Sequence, residues 1–267
     1  MLKSAAVLLT SLLSISFCPG QKVAIQPSIL DFHLAPGNTV SQVVHISNLS
    51  DQQMGFRAYL ADWLRDSTGV HQYFRPDTLS HSCAGWVSLD KDFIEVPPGG
   101  SRDLVVKLQP PSDLRSFQQM KWAMLFLQSG VEQDSASAHG KDFNTHIRQL
   151  LRVGVHIYQT PPTLTHYSAR ALALKEVPGE KNAYDLYMEN TGETMLQCKV
   201  HLELTNIETG KEFRSEKVEF PVFPEGTRKV RLMVPVNTPR GRYSALAILD
   251  IGEGIPLEAV EKKIEVL

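Results

Sequence analysis

Short runs of alternating apolar and polar residues restrict the fold more than any other feature of this sequence. Residues 23–34 and 40–46 alternate in this way, and the segment Ala-Pro-Gly-Asn at 35–38 separates them. Such alternation is typical of β-strands with one buried face, and proline and glycine commonly mark the turns between strands. No segment with a helical period extends beyond a turn or two. The sequence therefore predicts an all-β fold.

The predicted strands fall into two groups. The first group comprises residues 23–34, 40–46, 56–63, 86–89, 93–96, 104–108, 122–127 and 147–158. The second comprises residues 169–177, 183–188, 196–206, 213–222, 228–234, 243–250 and 257–266. Seven strands in about 105 residues match an immunoglobulin-like domain. We predict two tandem immunoglobulin-like β-sandwich domains, at 21–158 and 163–267. The linker at 159–162 contains two prolines, which stiffen a connection and stop strand pairing.

The N-terminal 20 residues have the pattern of a secretory signal peptide. Lys3 precedes an apolar run at 5–13, and small residues follow before Gln21. The apolar run is shorter than the roughly 20 residues that span a membrane. We therefore expect export to the periplasm, with cleavage after Gly20. Lipoprotein anchoring at Cys18 is the alternative, although the bulky Phe17 precedes that cysteine.

Composition narrows the possible partners. Without the predicted signal peptide, 26 lysines and arginines face 29 acidic residues, and the charges are mixed along the chain. This balance argues against a nucleic-acid-binding protein. No later stretch reaches membrane length, so no integral membrane segment is expected. Cys83 and Cys198 lie in different halves of the chain, and we predict two buried, unpaired thiols.

Sequence motifs do not support catalysis, a cofactor or a metal site. The chain lacks the common nucleophile, zinc-protease, phosphate-binding and dinucleotide-binding motifs. His71, His81 and Cys83 form the densest group of metal-ligating residue types, in the loop-rich segment 69–85, but no fourth zinc ligand accompanies them. Trp63 and Trp86 are interpreted as fillers of the sandwich core. We expect a protein that is not an enzyme.

Several phrases together resemble a known family. In chain order they are Pro27-Ser-Ile, Leu34-Ala-Pro-Gly-Asn, Val44-His-Ile-Ser-Asn-Leu-Ser-Asp, Tyr59-Leu-Ala-Asp-Trp, Trp86-Val-Ser-Leu, Val96-Pro-Pro-Gly-Gly-Ser-Arg and Gly154-Val-His-Ile-Tyr. The second half adds Asn190-Thr-Gly, Arg240-Gly-Arg-Tyr and Leu249-Asp-Ile-Gly. These phrases resemble PapD-like periplasmic chaperones, and more closely a divergent group of related two-domain bacterial envelope proteins. The resemblance implies two immunoglobulin-like domains at an angle and an exported protein client bound by strand addition.

One part of the family's pattern is missing. In pilus chaperones a basic pair in the inter-domain cleft holds the carboxylate of the subunit's C-terminus. The aligned positions here are Ile29 and Val155, neither of which can neutralise a carboxylate. Arg148 and Arg152 lie on the same predicted strand but three or more residues from that register. The departure puts the family's anchoring mechanism in doubt and leaves the fold expectation unchanged.

The last predicted strand of the first domain carries the candidate client-binding site, formed by Ile147, Arg148, Gln149, Leu150, Leu151 and Arg152. Its odd-numbered residues are apolar except Gln149, and residues 153–157 are expected to face the core. Residues 147–151 extend further and offer a strand edge to a client, the alternative being an ordinary edge strand. The preceding polar segment 129–145 is predicted to be a loop, either functional or simply mobile.

These observations lead to a hypothesis and two alternatives. The hypothesis is a chaperone-like or scaffold protein that holds an exported β-rich client by strand addition, in surface-appendage or secretion-complex assembly. The first alternative is a structural envelope module that binds glycan or a membrane-complex partner through an exposed aromatic cluster away from residues 147–151. An enzyme is the second alternative, and it requires convergent polar groups that the sequence spacing does not reveal.

Overall fold

The chain forms two β-sandwiches in tandem, which confirms the predicted all-β, two-domain immunoglobulin-like fold. The computed structural model describes residues 22–133 and 147–266, without the side chains of residues 130–149. The predicted signal peptide, including Cys18, lies outside the described residues. Three-residue and four-residue 3-10 turns at Ala84–Trp86 and Leu114–Phe117 are the helical elements of the part described.

Two sheets form the N-terminal sandwich. The first has the strand order β1-β3-β8-β6, and the second has the order β2-β10-β9-β4-β5, with β7 also paired to β4. The strands are β1 (Val23–Gln26), β2 (Ile29–Phe32), β3 (Val40–Asn48), β4 (Met54–Arg65), β5 (His71–Phe74), β6 (Val87–Leu89), β7 (Phe93–Val96), β8 (Ser101–Leu108), β9 (Lys121–Gln133) and β10 (Ile147–Gln159). The core between the sheets consists of buried side chains from both, among them Leu30, Ile46, Leu104, Leu125 and Ile157.

Two further sheets form the C-terminal sandwich. One has the order β11-β12-β16, and the other has the order β14-β13-β17-β18, with β15 also paired to β13. The strands are β11 (Ala169–Glu176), β12 (Ala183–Asn190), β13 (Leu196–Asn206), β14 (Glu212–Arg214), β15 (Val218–Val222), β16 (Thr227–Met233), β17 (Gly241–Asp250) and β18 (Glu258–Val266). Alternate residues of β17, from Tyr243 to Leu249, are fully buried, as the two-residue period requires.

Two local features are typical of this architecture. Asn48 ends β3 and Asn190 ends β12, and each buried side-chain amide donates both to a backbone carbonyl in the following turn and to one at the end of another strand. The Tyr243 hydroxyl donates to the carbonyl of Pro239, four residues upstream, over 2.9 Å. A tyrosine that closes the corner before its strand in this way is found in many immunoglobulin-like sandwiches. Both features anchor turns that the apolar core alone does not specify.

The structure divides two predicted strands. Residues 23–34 form β1 and β2 in different sheets, because Pro27 has no N–H to donate and interrupts the ladder. Residues 213–222 form β14 and β15. Between them, the Ser215 hydroxyl accepts the Leu202 N–H in place of a backbone carbonyl, which breaks the regular pairing.

Two loop predictions are wrong in part. The segment 69–85 contains β5, which pairs with the end of β4. Residues 129–133, predicted as the start of a polar loop, continue β9 and pair with residues 147–151. Both segments are strands because they pair with a neighbouring strand. Their sequences did not predict this, because short polar strands show little hydrophobic periodicity. The remainder of the predicted loop, residues 134–145, lies outside the described residues.

Candidate functional site

Strand β10 is the centre of the candidate site because only part of it is covered on both sides. All 13 of its residues pair with β9, from Ile147 opposite Gln133 to Gln159 opposite Lys121. On the other side β2 runs parallel to it and pairs only with residues 156–159. Among the described residues, no strand covers that side between Ile147 and Val155. This stretch is an open strand edge.

The ladder shows which backbone groups face the open edge. The His156 N–H donates to the Ser28 carbonyl over 2.9 Å, and the Thr160 N–H donates to the Phe32 carbonyl. Backbone groups of successive residues point to opposite sides of a strand. The N–H and C=O groups of Arg148, Leu150, Arg152 and Gly154 therefore face the same side as those of His156, where β2 no longer reaches. They are available to a further strand.

The odd-numbered side chains of β10 are less buried at Leu151 and Val153 than at Val155 and Ile157. Val155 and Ile157 are fully buried in the N-terminal core, and Val153 and Leu151 are partly exposed. Burial therefore decreases from Val155 to Leu151, and the side chains of Ile147, Arg148 and Gln149 are outside the described set. An added strand would cover apolar surface at Leu151 and Val153 as well as the open edge.

The even-numbered side chains form the outer face of the strand. Leu150 is 63% exposed. The exposed Arg152 places its guanidinium carbon 4.6 Å from the centre of the Phe126 ring and 5.5 Å from that of Tyr73. Leu150 and Arg152 thus lie together on one face, whereas Leu151 lies on the other. A client at this edge would contact both faces.

The positions aligned with the missing basic pair are neighbours in space. Ile29 pairs with His156 in the parallel ladder, directly beside Val155. Ile29 is 47% exposed, but the Val155 side chain is fully buried in the core. Neither side chain can bind a carboxylate, and only one of them reaches the surface.

An aromatic cluster joins the two sandwiches. Phe223, just after β15, inserts its ring among three side chains of the N-terminal sandwich, at centroid distances of 5.0 Å from Trp63, 4.8 Å from Trp122 and 5.8 Å from Tyr158. The Met120 N–H also donates to the Glu193 carbonyl, and the Lys229 N–H donates to the Ser67 carbonyl. The outer face of the second sheet is thus packed against the other domain.

The interpretation of Trp63 as a sandwich core filler is wrong. Its side chain is fully buried, but it belongs to the aromatic cluster on the outer face, separate from the N-terminal core. Trp86 does pack against that core. The sequence did not lead to a prediction for Phe223. Its position in Val222-Phe-Pro, directly after the end of a predicted strand, is the signal that an apolar side chain there contacts something other than the sandwich core. Periodicity reports that a face is apolar and does not report what covers it.

The candidate metal ligands do not come together. His71 lies 4.9 Å from Trp63, between ring centres, and His81 stacks on Trp122 at 3.8 Å. Cys83 is buried in the N-terminal core, and burial raises the pKa of its thiol. No group of three or more potential ligands occurs in the part of the chain that the structure describes. Cys83 and Cys198 are both buried and unpaired, as predicted.

His156 lies at the junction between the open edge and the aromatic cluster. Its ring is 4.8 Å from that of Trp63 and 5.8 Å from that of His71, and its buried Nδ1 has no hydrogen-bond partner. Burial, followed by the charges of His71 and Arg65, lowers the pKa of His156 from 6.5 to about 4. Burial also lowers the pKa of His71 and of His81. The junction therefore favours neutral histidines.

We expect the free energy of unfolding to fall as the pH decreases from 6.5 to about 4. In this window the unfolded chain binds protons at His156 that the native state does not. The partly exposed ring reduces the effect, and His156 should contribute about 1.5 kcal/mol. Urea denaturation across this range should show a shallower pH dependence for His156→Phe than for the wild type. Identical slopes would contradict the assignment.

The described residues contain no helix that is long and apolar enough to cross a membrane.

Comparisons with known proteins agree on the fold. No family model matches the sequence, and no curated protein matches it. A chain from a study of the chaperone–tip adhesin complex in CFA/I fimbriae biogenesis is 12% identical, with 91% of this chain and 98% of that chain covered and a TM-score of 0.50. The Salmonella enterica structure of SafA pilin with the SafB chaperone gives 12% identity, coverage of 97% and 99%, and a TM-score of 0.46. The likeness with a TM-score of 0.50 shows the fold alone: the chain has the two-domain immunoglobulin-like fold of the PapD-like fimbrial chaperones, at very low sequence identity.

Proposed function

We propose that this protein is a non-enzymatic, periplasmic chaperone-like or scaffold protein that holds an exported β-rich client by strand addition. The observation that carries the proposal is the open edge of β10. Arg148, Leu150, Arg152 and Gly154 direct their backbone N–H and C=O groups to a side where β2 no longer pairs. Strand addition takes its affinity from such main-chain groups.

The side chains beside the open edge support the same proposal. Leu151 and Val153 are partly exposed on the core side, and Leu150 is largely exposed on the other. A strand edge with exposed apolar side chains tends to aggregate unless a partner covers it. An exported β-rich client, which itself lacks a paired edge before assembly, has the complementary chemistry. The fold shared with fimbrial chaperones, one of which is described in complex with a pilin, is consistent with this role.

Substitution of Leu151 tests the proposal. Leu151→Glu places a charge where the client strand would cover apolar surface, so we expect client capture to fall at least tenfold, which corresponds to about 1.4 kcal/mol. The mature protein is immobilised, and proteins that bind stoichiometrically from its own envelope fraction are identified by mass spectrometry. The captured protein is then titrated against wild type and variant.

A matched control separates client binding from general disruption. Leu172 lies on β11, an edge strand of the C-terminal sandwich, and is 48% exposed. Leu172→Glu makes the same change at an edge that the proposal does not use, and it should leave capture unchanged. Capture that survives Leu151→Glu, or that both variants reduce equally, would refute the assignment to β10. Circular dichroism should show both variants folded.

No observation favours the alternative of a glycan-binding module. That function would need an exposed aromatic cluster away from residues 147–151. The exposed Tyr73 pairs with Phe126, but both rings lie against Arg152 of β10 and so beside residues 147–151. The strongly exposed Phe93 and Tyr167 belong to no aromatic pair among the described side chains.

A further inference from the structure

Arg228, near the start of β16, places its guanidinium carbon 5.3 Å from the centre of the Phe220 ring but has no hydrogen-bond partner for two of its nitrogen atoms. Its Nε and Nη1 atoms are buried and make no hydrogen bond. Within the described residues, no carboxylate oxygen lies within 4.0 Å of its nitrogen atoms. Buried polar groups are almost always paired, and a guanidinium can only donate. The unpaired N–H groups of Arg228 therefore indicate that this position can bind a hydrogen-bond acceptor from outside the chain.

A second cation from the other sandwich lines the same cavity. Arg65 ends β4, lies 5.9 Å from the centre of the Trp63 ring and donates its Nε–H to Nε2 of His71 over 3.3 Å. It also lacks a carboxylate partner among the described residues. Arg65 and Arg228 both border a cavity of about 270 Å³ between the sandwiches. His81, whose buried Nε2 has no partner, borders it as well.

The acidic groups at the cavity are engaged elsewhere. Oδ1 of Asp66 accepts from the Thr68 N–H and hydroxyl and from the Val70 N–H, all within its own turn. Oε1 of Glu225 accepts from the side-chain amide of Gln119 over 2.8 Å. Neither carboxylate forms an ion pair with Arg65 or Arg228. Among the described residues, the two guanidinium groups therefore have no carboxylate oxygen within 4.0 Å.

The walls of the cavity are held in place by backbone contacts. The Lys229 N–H donates to the Ser67 carbonyl over 2.7 Å, which attaches β16 to the turn after β4. Gly69, in the left-handed conformation, packs against the guanidinium so closely that a Cβ there would overlap Nη1 of Arg228. These contacts hold the arginine in position, and no carboxylate of the described residues lies within 4.0 Å of it, which favours binding of an anion from solution.

We propose that this cavity binds a tetrahedral oxyanion of the phosphate or sulfate class, which bridges Arg65 of one sandwich and Arg228 of the other. Two guanidinium groups from opposite walls require acceptor oxygens in more than one direction. A tetrahedral anion supplies them, whereas a carboxylate has two oxygens in one plane. The bound anion would stabilise the relative orientation of the sandwiches. This inference does not depend on the client-binding proposal.

Thermal unfolding of the full mature protein tests the inference at pH 7.5. Inorganic phosphate is titrated against sodium chloride at constant ionic strength, and the dissociation constant is measured by calorimetry. At about ten times that constant, we expect phosphate to raise the Tm by about 3 °C. Arg228→Gln, which keeps a polar side chain of reduced length, should weaken phosphate binding at least tenfold.

Matched variants and anions make the outcome decisive. Arg102→Gln removes an exposed arginine of β8 whose Nη1 donates to the Ser101 carbonyl, and it should bind phosphate as the wild type does. Arg65→Gln should weaken binding as Arg228→Gln does. Acetate should raise the Tm less than phosphate. Equal binding by Arg228→Gln and Arg102→Gln, an equal effect of acetate, or no phosphate-dependent shift in the wild type would overturn the proposal.

Discussion

Replacing Asp62 with alanine should destabilise the N-terminal sandwich by about 4 kcal/mol. Asp62 lies on β4 and is 1% exposed. Its carboxylate accepts hydrogen bonds from the backbone N–H groups of Asp77, Thr78 and Leu79 and from the Ser82 hydroxyl. Alanine would leave these donors without an acceptor while most of them stay partly buried. The effect should appear as a lower midpoint of the urea transition that tryptophan fluorescence follows.

Two further variants distinguish the loss of the acceptor from a general effect of charge. Asp103→Ala removes a carboxylate that is 60% exposed and pairs with His45 on the surface, so it should cost less than about 1 kcal/mol. Asp62→Asn keeps one acceptor oxygen, but its side-chain NH₂ group would face the N–H donors that the carboxylate accepts from. This variant should lower the free energy of unfolding by about 2 kcal/mol. A stability of Asp62→Ala equal to that of Asp103→Ala would show that Asp62 does not organise residues 77–82.

Replacing Phe223 with alanine should uncouple the two sandwiches. The ring packs against Trp63, Trp122 and Tyr158, and Phe223 is 7% exposed. Removing a buried phenylalanine ring costs about 3 kcal/mol or more. Because most of the lost contacts join the sandwiches, their unfolding transitions should separate in urea. Trp63 and Trp122 should become more accessible to water, with a red shift of the native emission spectrum.

Phe220 is the matched control, since it lies three residues earlier and is 6% exposed within the C-terminal core. Phe220→Ala should lower the stability of the C-terminal sandwich by a similar amount and leave the native emission spectrum unchanged. An equal red shift in both variants, or a single shared transition in Phe223→Ala, would contradict the role of Phe223 as the residue that joins the sandwiches.

The strand edge illustrates how far periodicity could predict the site. Alternation over 147–158 predicted one strand with an apolar face, and the structure places Val155 and Ile157 in the core. The residues assigned to client binding remain a prediction, because neither the structure nor the comparisons test them. Sequence also could not show that β2 pairs with residues 156–159 only, since that limit depends on where β2 begins after Pro27.

The all-β class, the two sandwiches and the unpaired thiols could all be predicted from the amino-acid sequence. These properties follow from local alternation, turn residues and composition, which act over a few neighbouring positions. The sequence could not show that Trp63 faces the other domain, that residues 129–133 extend β9 or that Arg65 and Arg228 share a cavity. These contacts join residues far apart in the chain, so they depend on how the strands are arranged in three dimensions. A local pattern shows that a side chain needs a partner, whereas the fold determines which one it meets.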